Sequence, residues 1–546
     1  MTLARLLELA ALRWPEAEAV VDGSCRLTYA DLHARALTLG IGFRRLGVAP
    51  GDRVLIALRN RLEHVLTFWA LQTIAAVPTP VNFRLAPAEL QYVLEDSAAR
   101  LALLEADTAA SVRAAAAGRD VRLISVGSDA ASDDAPGRSV PFEHLIDERF
   151  HSGGGEAVGV GQGSERPSSS GSADPCPTPT ASPAPKESDL SLILYTSGTT
   201  GRPKGVPRTH RNQYAGALAQ ALQCGWTWGE RTLGVMPLYH TMGIHALTGV
   251  AAVNGCFVCQ PEWGAAAALR LIHGERISAL YLIPTLFYDL VRTPDFARSA
   301  VESVDKLAYA GAPMLAPLTE ACVKAFQPRV FVNHYGSTEI YTFSVRPDVH
   351  LKPGCAGRPG VHGALRVVVA STERRVAPDE VVPPGHKGEI IASLASDEAF
   401  AGYWNRPDAD ARALREGWYF TGDMGYVDAD GELHVAGRVD DMIISGGENI
   451  HPVEVEEVLA RHPGVRDVAV VGEPDERWGQ RVVAFIVAAA PGLTPEALDA
   501  HCRSGGALAP FKRPRRVVFV DEIPKTASGK ILRRLLRDGH DSETTT

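Results

Sequence analysis

The chain carries no cysteine framework. Its 8 cysteines are scattered over 546 residues. Scattered cysteines in a long chain suit a reducing compartment, so a cytoplasmic protein is expected. Cys256 and Cys259 form a lone C-x-x-C in an apolar run. Without a second pair, buried strand cysteines are expected rather than a metal or redox site. No apolar run reaches transmembrane length, which argues against a membrane protein. The first fourteen residues have an Ala/Leu-rich helical pattern, but Arg5, Glu8 and Arg13 interrupt it and no cleavage-like apolar core follows. A signal peptide is therefore not expected. Basic residues are not in excess either: 55 Lys and Arg face 64 Asp and Glu, for a net charge of −9. A general nucleic-acid binder would be basic, so that class is set aside. No internal repeat is visible.

What is present is ordinary globular composition, 45% hydrophobic and 22% charged. The length exceeds what one compact core holds, so two or more domains are expected. Residues 152–185 are rich in Gly, Ser and Pro with almost no large apolar side chain. Such a segment cannot bury enough surface to offset its ordering entropy, and it reads as a disordered, passive surface insertion. Residues 538–546 form a polar tail, also expected to be disordered.

Elsewhere strand and helix patterns alternate. Thr28 and Asp31 fit a capping pattern, and Leu32, Ala36, Leu39, Phe43 and Leu46 follow at helical spacing up to Gly47 and Pro50. Residues 53–58 and 100–105 read as strands around a helix at 62–76. The rhythm resumes with strands at 233–236, 277–282 and 307–309 and a helix ending near 274, then antiparallel-looking strands at 385–394 and 432–435. After Arg438 a smaller unit follows: helix 452–460, strands 468–471 and 481–487, helix 495–502, strand 517–520, and a last helix from Lys530. This alternation predicts an α/β fold with largely parallel sheets and an α+β C-terminal part.

The most informative string is Tyr195-Thr-Ser-Gly-Thr-Thr-Gly-Arg-Pro-Lys-Gly205, after an apolar run at 190–195. It offers the hydroxyls of Thr196, Ser197, Thr199 and Thr200, the glycines Gly198, Gly201 and Gly205, and the cation of Lys204. Glycines let a backbone approach a ligand closely, and successive N–H groups in such a turn form an anion nest. A polyphosphate needs these features. The spacing is not that of a Walker A loop, since Lys204 follows Gly201 by three and precedes a glycine.

The string resembles the phosphate loop of the adenylate-forming superfamily: acyl-CoA ligases, peptide-synthetase adenylation domains and luciferases. Five later stretches resemble the same superfamily in its order: Ala310-Gly-Ala-Pro313, His334-Tyr-Gly-Ser-Thr-Glu339, Tyr419-Phe-Thr-Gly-Asp423, Gly437-Arg-Val-Asp-Asp-Met-Ile-Ile-Ser-Gly-Gly-Glu-Asn-Ile450 and Pro524-Lys-Thr-Ala-Ser-Gly-Lys530. The resemblance implies a large N-terminal AMP-binding domain, 1–439, and a small mobile C-terminal domain, 440–537, with Asp440 at the hinge.

It also implies the chemistry. ATP first converts a carboxylate to an acyl-adenylate, and a thiol then displaces AMP. Two anions must meet in the first step, and positioned cations are the physical remedy. By resemblance Lys530 bridges the carboxylate and the α-phosphate. Glu339 is the Mg²⁺ ligand, with Thr338 beside it near the α-phosphate. Asp423 holds the ribose hydroxyls, Arg438 faces the nucleotide, Gly311, Ala312, Pro313 and Tyr335 wall the adenine region, and Gly336 belongs to the ATP site as well. Thr196, Ser197, Gly198, Thr199, Thr200, Gly201 and Lys204 take the phosphates. For coenzyme A the resemblance implies a tunnel at Gly446 and Gly447. Phe511, Arg513 and Arg515 offer an aromatic face and cations for its nucleotide end. Trp478 is either a further contact there or a packed core residue.

Further stretches resemble bacterial chlorobenzoate–CoA ligases and their relatives: Gly446-Gly-Glu-Asn-Ile-His-Pro452, Ser396-Asp-Glu-Ala-Phe400 and Asp475-Glu-Arg-Trp-Gly-Gln480. They imply an acid pocket lined by His240, Thr241, Met242, Tyr281, Ala310, His334, Gly336, Tyr341 and Thr342, with His240 as a gate. His334 and Tyr341 stand where those ligases carry aliphatic or Met side chains. A buried imidazole or phenol wants a hydrogen-bond partner, so a small aromatic or heteroaromatic acid with a polar ring atom is expected, furoate first and benzoate or hydroxybenzoate next. The expected function is a Mg²⁺-dependent ligase using ATP and coenzyme A, with a homodimer left open. Four alternatives stand beside it: loading of a carrier protein, an aliphatic acyl-CoA synthetase, a non-catalytic nucleotide-binding relative, and a luciferase-like oxidase.

Overall fold

A computed structural model of the chain describes residues 1–127, 139–146, 184–196, 203–294, 296–371, 374–445, 448–504, 508–526 and 529–538. The expected insertion at 152–185 lies outside the described residues except for its last two positions, and the expected tail does so from residue 539. The architecture is mixed α/β, with a large N-terminal and a smaller C-terminal domain.

The heart of the N-terminal domain is a run of parallel strands: Glu18–Asp22, Cys256–Cys259, Arg231–Gly234, Ala279–Leu282, Lys306–Tyr309 and Val330–Tyr335, each beside the next. These strands are short and almost wholly buried, as expected where helices cover both faces of a sheet. The sheet then turns antiparallel through Ser344–Arg346, Cys355–Pro359, Leu433–Arg438, Trp418–Val427, Gly388–Ser393 and Leu365–Val368. A second sheet is entirely parallel, in the order Val77–Pro80, Arg53–Ala57, Leu101–Glu105, Arg122–Val126, Ser139–Pro141.

Local chemistry explains several boundaries. Thr28 and Asp31 form the expected capping box of helix Tyr29–Arg45, which buries Leu32, Ala36, Leu39 and Phe43. Cys256 and Cys259 are buried in their strand, and burial pushes the Cys256 thiol up to about 12. That is the chemistry of packed sulfur rather than of a ligand or redox pair.

The apolar run before the phosphate loop is the strand Leu190–Thr196, paired antiparallel with Lys204–Thr209, and Thr196 faces Lys204 across the hairpin. One expectation needs correction. The last helix begins at Arg533, not Lys530. Gly529 takes φ +77°, which breaks helical geometry, and Lys525 bridges Ile531 in antiparallel fashion. Lys530 therefore sits on a turn.

The C-terminal domain is built on the long hairpin Val465–Asp475 and Gly479–Ala488, with Arg516–Phe519 added in parallel. Its two faces bury separate apolar clusters, one under helices Pro452–Ala460 and Pro495–Arg503 and one under Ile523, Ile531 and Leu536.

Candidate active site

The parallel strands deliver their carboxyl ends to one edge, where ligands of α/β sheets bind. Lys306–Tyr309 runs out into Ala310 and Gly311, and Val330–Tyr335 into Gly336. Gly311 takes φ +83°. A Cβ on Gly336 would lie 1.8 Å from the Tyr341 carbonyl oxygen, so only glycine permits the tight return there. In that return Ser337 Oγ accepts the N–H groups of Glu339 and Ile340 at 3.2 and 3.3 Å.

Asp423 and Arg438 are cross-strand partners in register. Arg438 Nη1 donates to Asp423 Oδ1 at 2.8 Å, and the Tyr335 hydroxyl donates to Oδ2 at 2.6 Å. Burial alone would disfavour the Arg438 guanidinium, but Asp423 outweighs it and holds that group above its ordinary range. Three separate sequence stretches thus converge on one carboxylate.

Lys530 reaches the same place from the other domain. Its turn is closed by Thr526, whose N–H donates to the Lys530 carbonyl at 2.8 Å and whose Oγ1 accepts the Lys530 N–H at 3.1 Å. A Cβ on Gly529 would lie 3.0 Å from Ile283 Cδ1, so the turn packs closely on the N-terminal domain. The Lys530 side chain stays accessible to solvent, yet its ammonium is depressed by the surrounding protein and by Arg438, with Asp423 and Asp441 opposing. A second interdomain tie is the 3.3 Å pair of Lys387 with Glu454.

Glu339 is held by a residue that sequence reasoning missed. The Tyr403 hydroxyl donates to Glu339 Oε1 at 2.7 Å, and Lys204 Nζ lies 4.2 Å from the centre of the Tyr403 ring. Burial depresses the Lys204 ammonium, and Glu339 opposes that. Lys204 is thus fixed at the head of a strand rather than swinging in a loop. Tyr403 sits in Gly402-Tyr-Trp404, next to a turn; that string was the available signal. Thr196 is described, with its Oγ1 3.4 Å from the Lys204 carbonyl oxygen. Ser197, Gly198, Thr199, Thr200 and Gly201 lie outside the described residues.

Of the residues expected to line an acid pocket, Tyr281, His334, Tyr341 and Thr342 are in contact, and they satisfy one another. His334 is 2% exposed. Its Nδ1 lies 3.3 Å from the Tyr281 hydroxyl and its Nε2 lies 2.9 Å from Thr342 Oγ1. Tyr341 contacts both the Tyr281 hydroxyl, at 3.1 Å, and Gln220 Oε1. The Gln223 amide donates to Thr342 Oγ1 at 3.1 Å. Gln220, Gln223 and His245, whose ring centre lies 3.7 Å from that of Tyr341 at a tilt of 35°, were not anticipated. The expectation that His334 and Tyr341 need a substrate atom as partner is therefore corrected: neighbours supply their partners. Burial alone drives the His334 imidazole down to about 3 and the His240 imidazole to about 4. Both are neutral at pH 7. His240 occupies the N-cap position of helix Thr241–Ala252 beside Tyr239 without a side-chain capping bond, and Met242 is buried in that helix's first turn.

The expected coenzyme A residues are less uniform. Trp478 is 42% exposed in the turn between two strands, with Arg477 stacked 4.8 Å from its ring, so it is not a packed core residue. Phe511 is also exposed. The basic edge is partly neutralised: Arg513 pairs with Asp499, Lys512 with Glu454 and Arg516 with Glu473. Arg515 is exposed. Gly446 and Gly447 lie outside the described residues, and Asp440 lies in the short turn Val439–Asp441 that joins the domains.

Comparison with known proteins matches these elements. Residues 7–404 match the AMP-binding enzyme family and residues 454–530 its C-terminal domain. A feruloyl-CoA synthase from Amycolatopsis sp is 34% identical over 529 residues, covering 96% of each chain. A 4-chlorobenzoate–CoA ligase from Arthrobacter sp is 34% identical over 542 residues, covering 98% of this chain and 95% of that one. Among solved structures, an anthranilate CoA ligase in complex with anthranoyl-AMP superimposes with a TM-score of 0.84 at 26% identity, covering 100% of this chain and 98% of the other. The order of the six motif stretches, the carboxylate on which three of them converge and these full-length likenesses agree, and the chain belongs to the AMP-binding enzyme family.

Proposed function

We propose that the protein is an ATP-dependent acid–CoA ligase acting on a small aromatic or heteroaromatic carboxylic acid. The observation that carries this reading is the Asp423 carboxylate held by Arg438 and Tyr335, with the Lys530 turn packed against Ile283 at the carboxyl edge of the sheet. In the first step a carboxylate oxygen of the acid attacks the α-phosphorus. The bond to the leaving pyrophosphate breaks, and acyl-adenylate forms. Lys530 and Arg438 offset the charge gathered there, Asp423 holds the ribose, and Lys204 faces the phosphates. In the second step the thiolate of coenzyme A attacks the acyl carbon, AMP leaves with the bonding electrons, and the thiol proton goes to solvent. Rotation of residues 440–537 about Asp440 would exchange Lys530 for the thiol at one site.

Glu339 suits a hard divalent cation. The residue is 7% exposed, and its carboxylate is already oriented by Tyr403. Among the described residues no group of three His, Cys, Asp or Glu side chains is arranged to hold a metal ion. Mg²⁺ characteristically binds one or two carboxylates together with substrate phosphates, which matches a single buried glutamate beside a phosphate loop. A bound Mg²⁺ would neutralise charge on the phosphate oxygens.

A ring acid is supported by the aromatic layer of Tyr281, His334 and Tyr341. Furoate remains our first specific choice and benzoate the second, although the internal pairing of His334 removes the argument for a polar ring atom. The test is a panel of furoate, benzoate, hydroxybenzoate, chlorobenzoate, malonate and octanoate with ATP, Mg²⁺ and coenzyme A, following AMP release and thioester. Turnover of ring acids is the expected result. Activity confined to octanoate or malonate would refute the substrate class, and adenylate formation without thioester would favour carrier-protein loading.

A further inference from the structure

Arg208 is 1% exposed, and a guanidinium so deep in a protein is costly unless its position is used. It lies on Lys204–Thr209, the strand that returns from the phosphate loop. Its Nη1 donates to two successive carbonyl oxygens, those of Thr338 at 2.8 Å and Glu339 at 3.0 Å. The Glu339 oxygen also accepts the Phe400 N–H at 2.9 Å. A planar peptide whose oxygen is fixed is fixed in orientation, so the side chains of Thr338 and Glu339 leave a locked backbone.

Glu398, 0% exposed, lies beside the same return without an ion pair to Arg208, and burial pushes its carboxyl up to about 7. Its Oε2 accepts the Thr342 N–H at 2.8 Å, and Ala399 bridges Ile340. Burial pushes the Arg208 guanidinium down to about 10, with Glu398 and then Glu339 opposing. Glu398 thus touches the acid side of the return, and Arg208 touches the nucleotide side. The tie comes from two segments almost two hundred residues apart.

We propose that Arg208 is a positioning residue for nucleotide activation: it sets the Thr338–Glu339 backbone, and Glu398 joins that setting to Thr342. The inference rests on the proposed role of Glu339 toward Mg²⁺ and ATP. Only the first half-reaction needs that glutamate, so loss of Arg208 should divide the two half-reactions.

The experiment uses the full chain with Arg208→Met, Arg208→Lys, Glu398→Gln and, as reference, Glu339→Gln. Acid-dependent pyrophosphate exchange is measured across a Mg²⁺ titration. Thioester formation is measured separately from supplied acyl-adenylate and coenzyme A. Amide exchange at 337–342 gives a readout that needs neither ATP nor metal. Arg208→Met is expected to slow pyrophosphate exchange by about 30-fold, to raise the half-saturating Mg²⁺ by roughly 5-fold and to speed amide exchange at 338–342, with thioester formation within about 2-fold of the parent. Arg208→Lys, reaching one carbonyl, should recover part of the loss, and Glu398→Gln should show the same split more weakly. Equal loss in both half-reactions, or none in either, overturns the proposal. Should Arg208→Met not fold, the same criterion applies to Arg208→Lys. If Glu339→Gln leaves the Mg²⁺ dependence unchanged, the assigned role of Glu339 fails instead, and the two failures are distinguishable.

Discussion

Tyr403 donates its hydroxyl to Glu339 Oε1 at 2.7 Å while its ring lies under Lys204 Nζ at 4.2 Å. One phenol thus orients the proposed metal carboxylate and the proposed phosphate cation together. Tyr403→Phe keeps the ring and removes only the hydroxyl. It should slow pyrophosphate exchange by about 10-fold while costing about 1 kcal/mol of stability, the usual worth of one hydrogen bond. Exchange kinetics and a denaturant melt check both numbers. Unchanged exchange would show that Glu339 is oriented without Tyr403.

Lys530 opens a sharper division. Lys530→Ala should lower acid-dependent pyrophosphate exchange by at least about 100-fold, as loss of a preorganised donor to developing charge does. Thioester formation from supplied acyl-adenylate should change by less than about 3-fold, because the reading gives Lys530 no part in that step. Parallel loss in both assays would assign the lysine a structural role.

His334→Leu tests the internally paired pocket. The substitution removes one of two partners from the Tyr281 hydroxyl and from Thr342 Oγ1, leaving Tyr341 on the first and Gln223 on the second. Activity on hydroxybenzoate and benzoate should fall together, with their ratio within about 2-fold, and stability should drop by roughly 1–3 kcal/mol. A selective loss of the polar acid would restore direct recognition by the imidazole.

Stability should fall in mild acid. Burial holds the His64 and His210 imidazoles down to about 4 and that of His334 down to about 3. The unfolded chain takes up these protons below pH 6.5 and the folded chain does not. Between pH 6.5 and about 4 the unfolded state therefore binds more protons, and stability decreases as pH falls. Each such histidine contributes up to about 1.4 kcal/mol per pH unit. Melts from pH 8 to 4 on the parent and on His64→Gln measure the slope, which should be shallower in the variant. An identical slope would mean that His64 titrates in the folded state.

The sequence was sufficient for elements whose signal is local. The capping box of Thr28 and Asp31, the bounds of helix Pro452–Ala460 and the buried pair Cys256 and Cys259 need only neighbours within a few residues to be read. The motif order from Tyr195 to Lys530 was legible for another reason: each string combines glycines with a few polar side chains in a pattern too particular for an ordinary turn. Boundaries next to glycines were read less well. Gly529 kept Lys530 off the last helix by a backbone angle that composition does not state.

By itself, then, the sequence determined the α/β class, the division into a large and a small domain and the family. These follow from periodicity and from motifs that each lie on one stretch of chain. Only the tertiary structure decided who partners whom. Tyr403 on Glu339, Arg208 beneath the Thr338 and Glu339 carbonyls, and Tyr281 with Thr342 on His334 join residues from separate stretches of the chain. A buried polar atom must find a partner somewhere. Which partner it finds depends on how the strands are stacked in space, and no spacing along the chain records that.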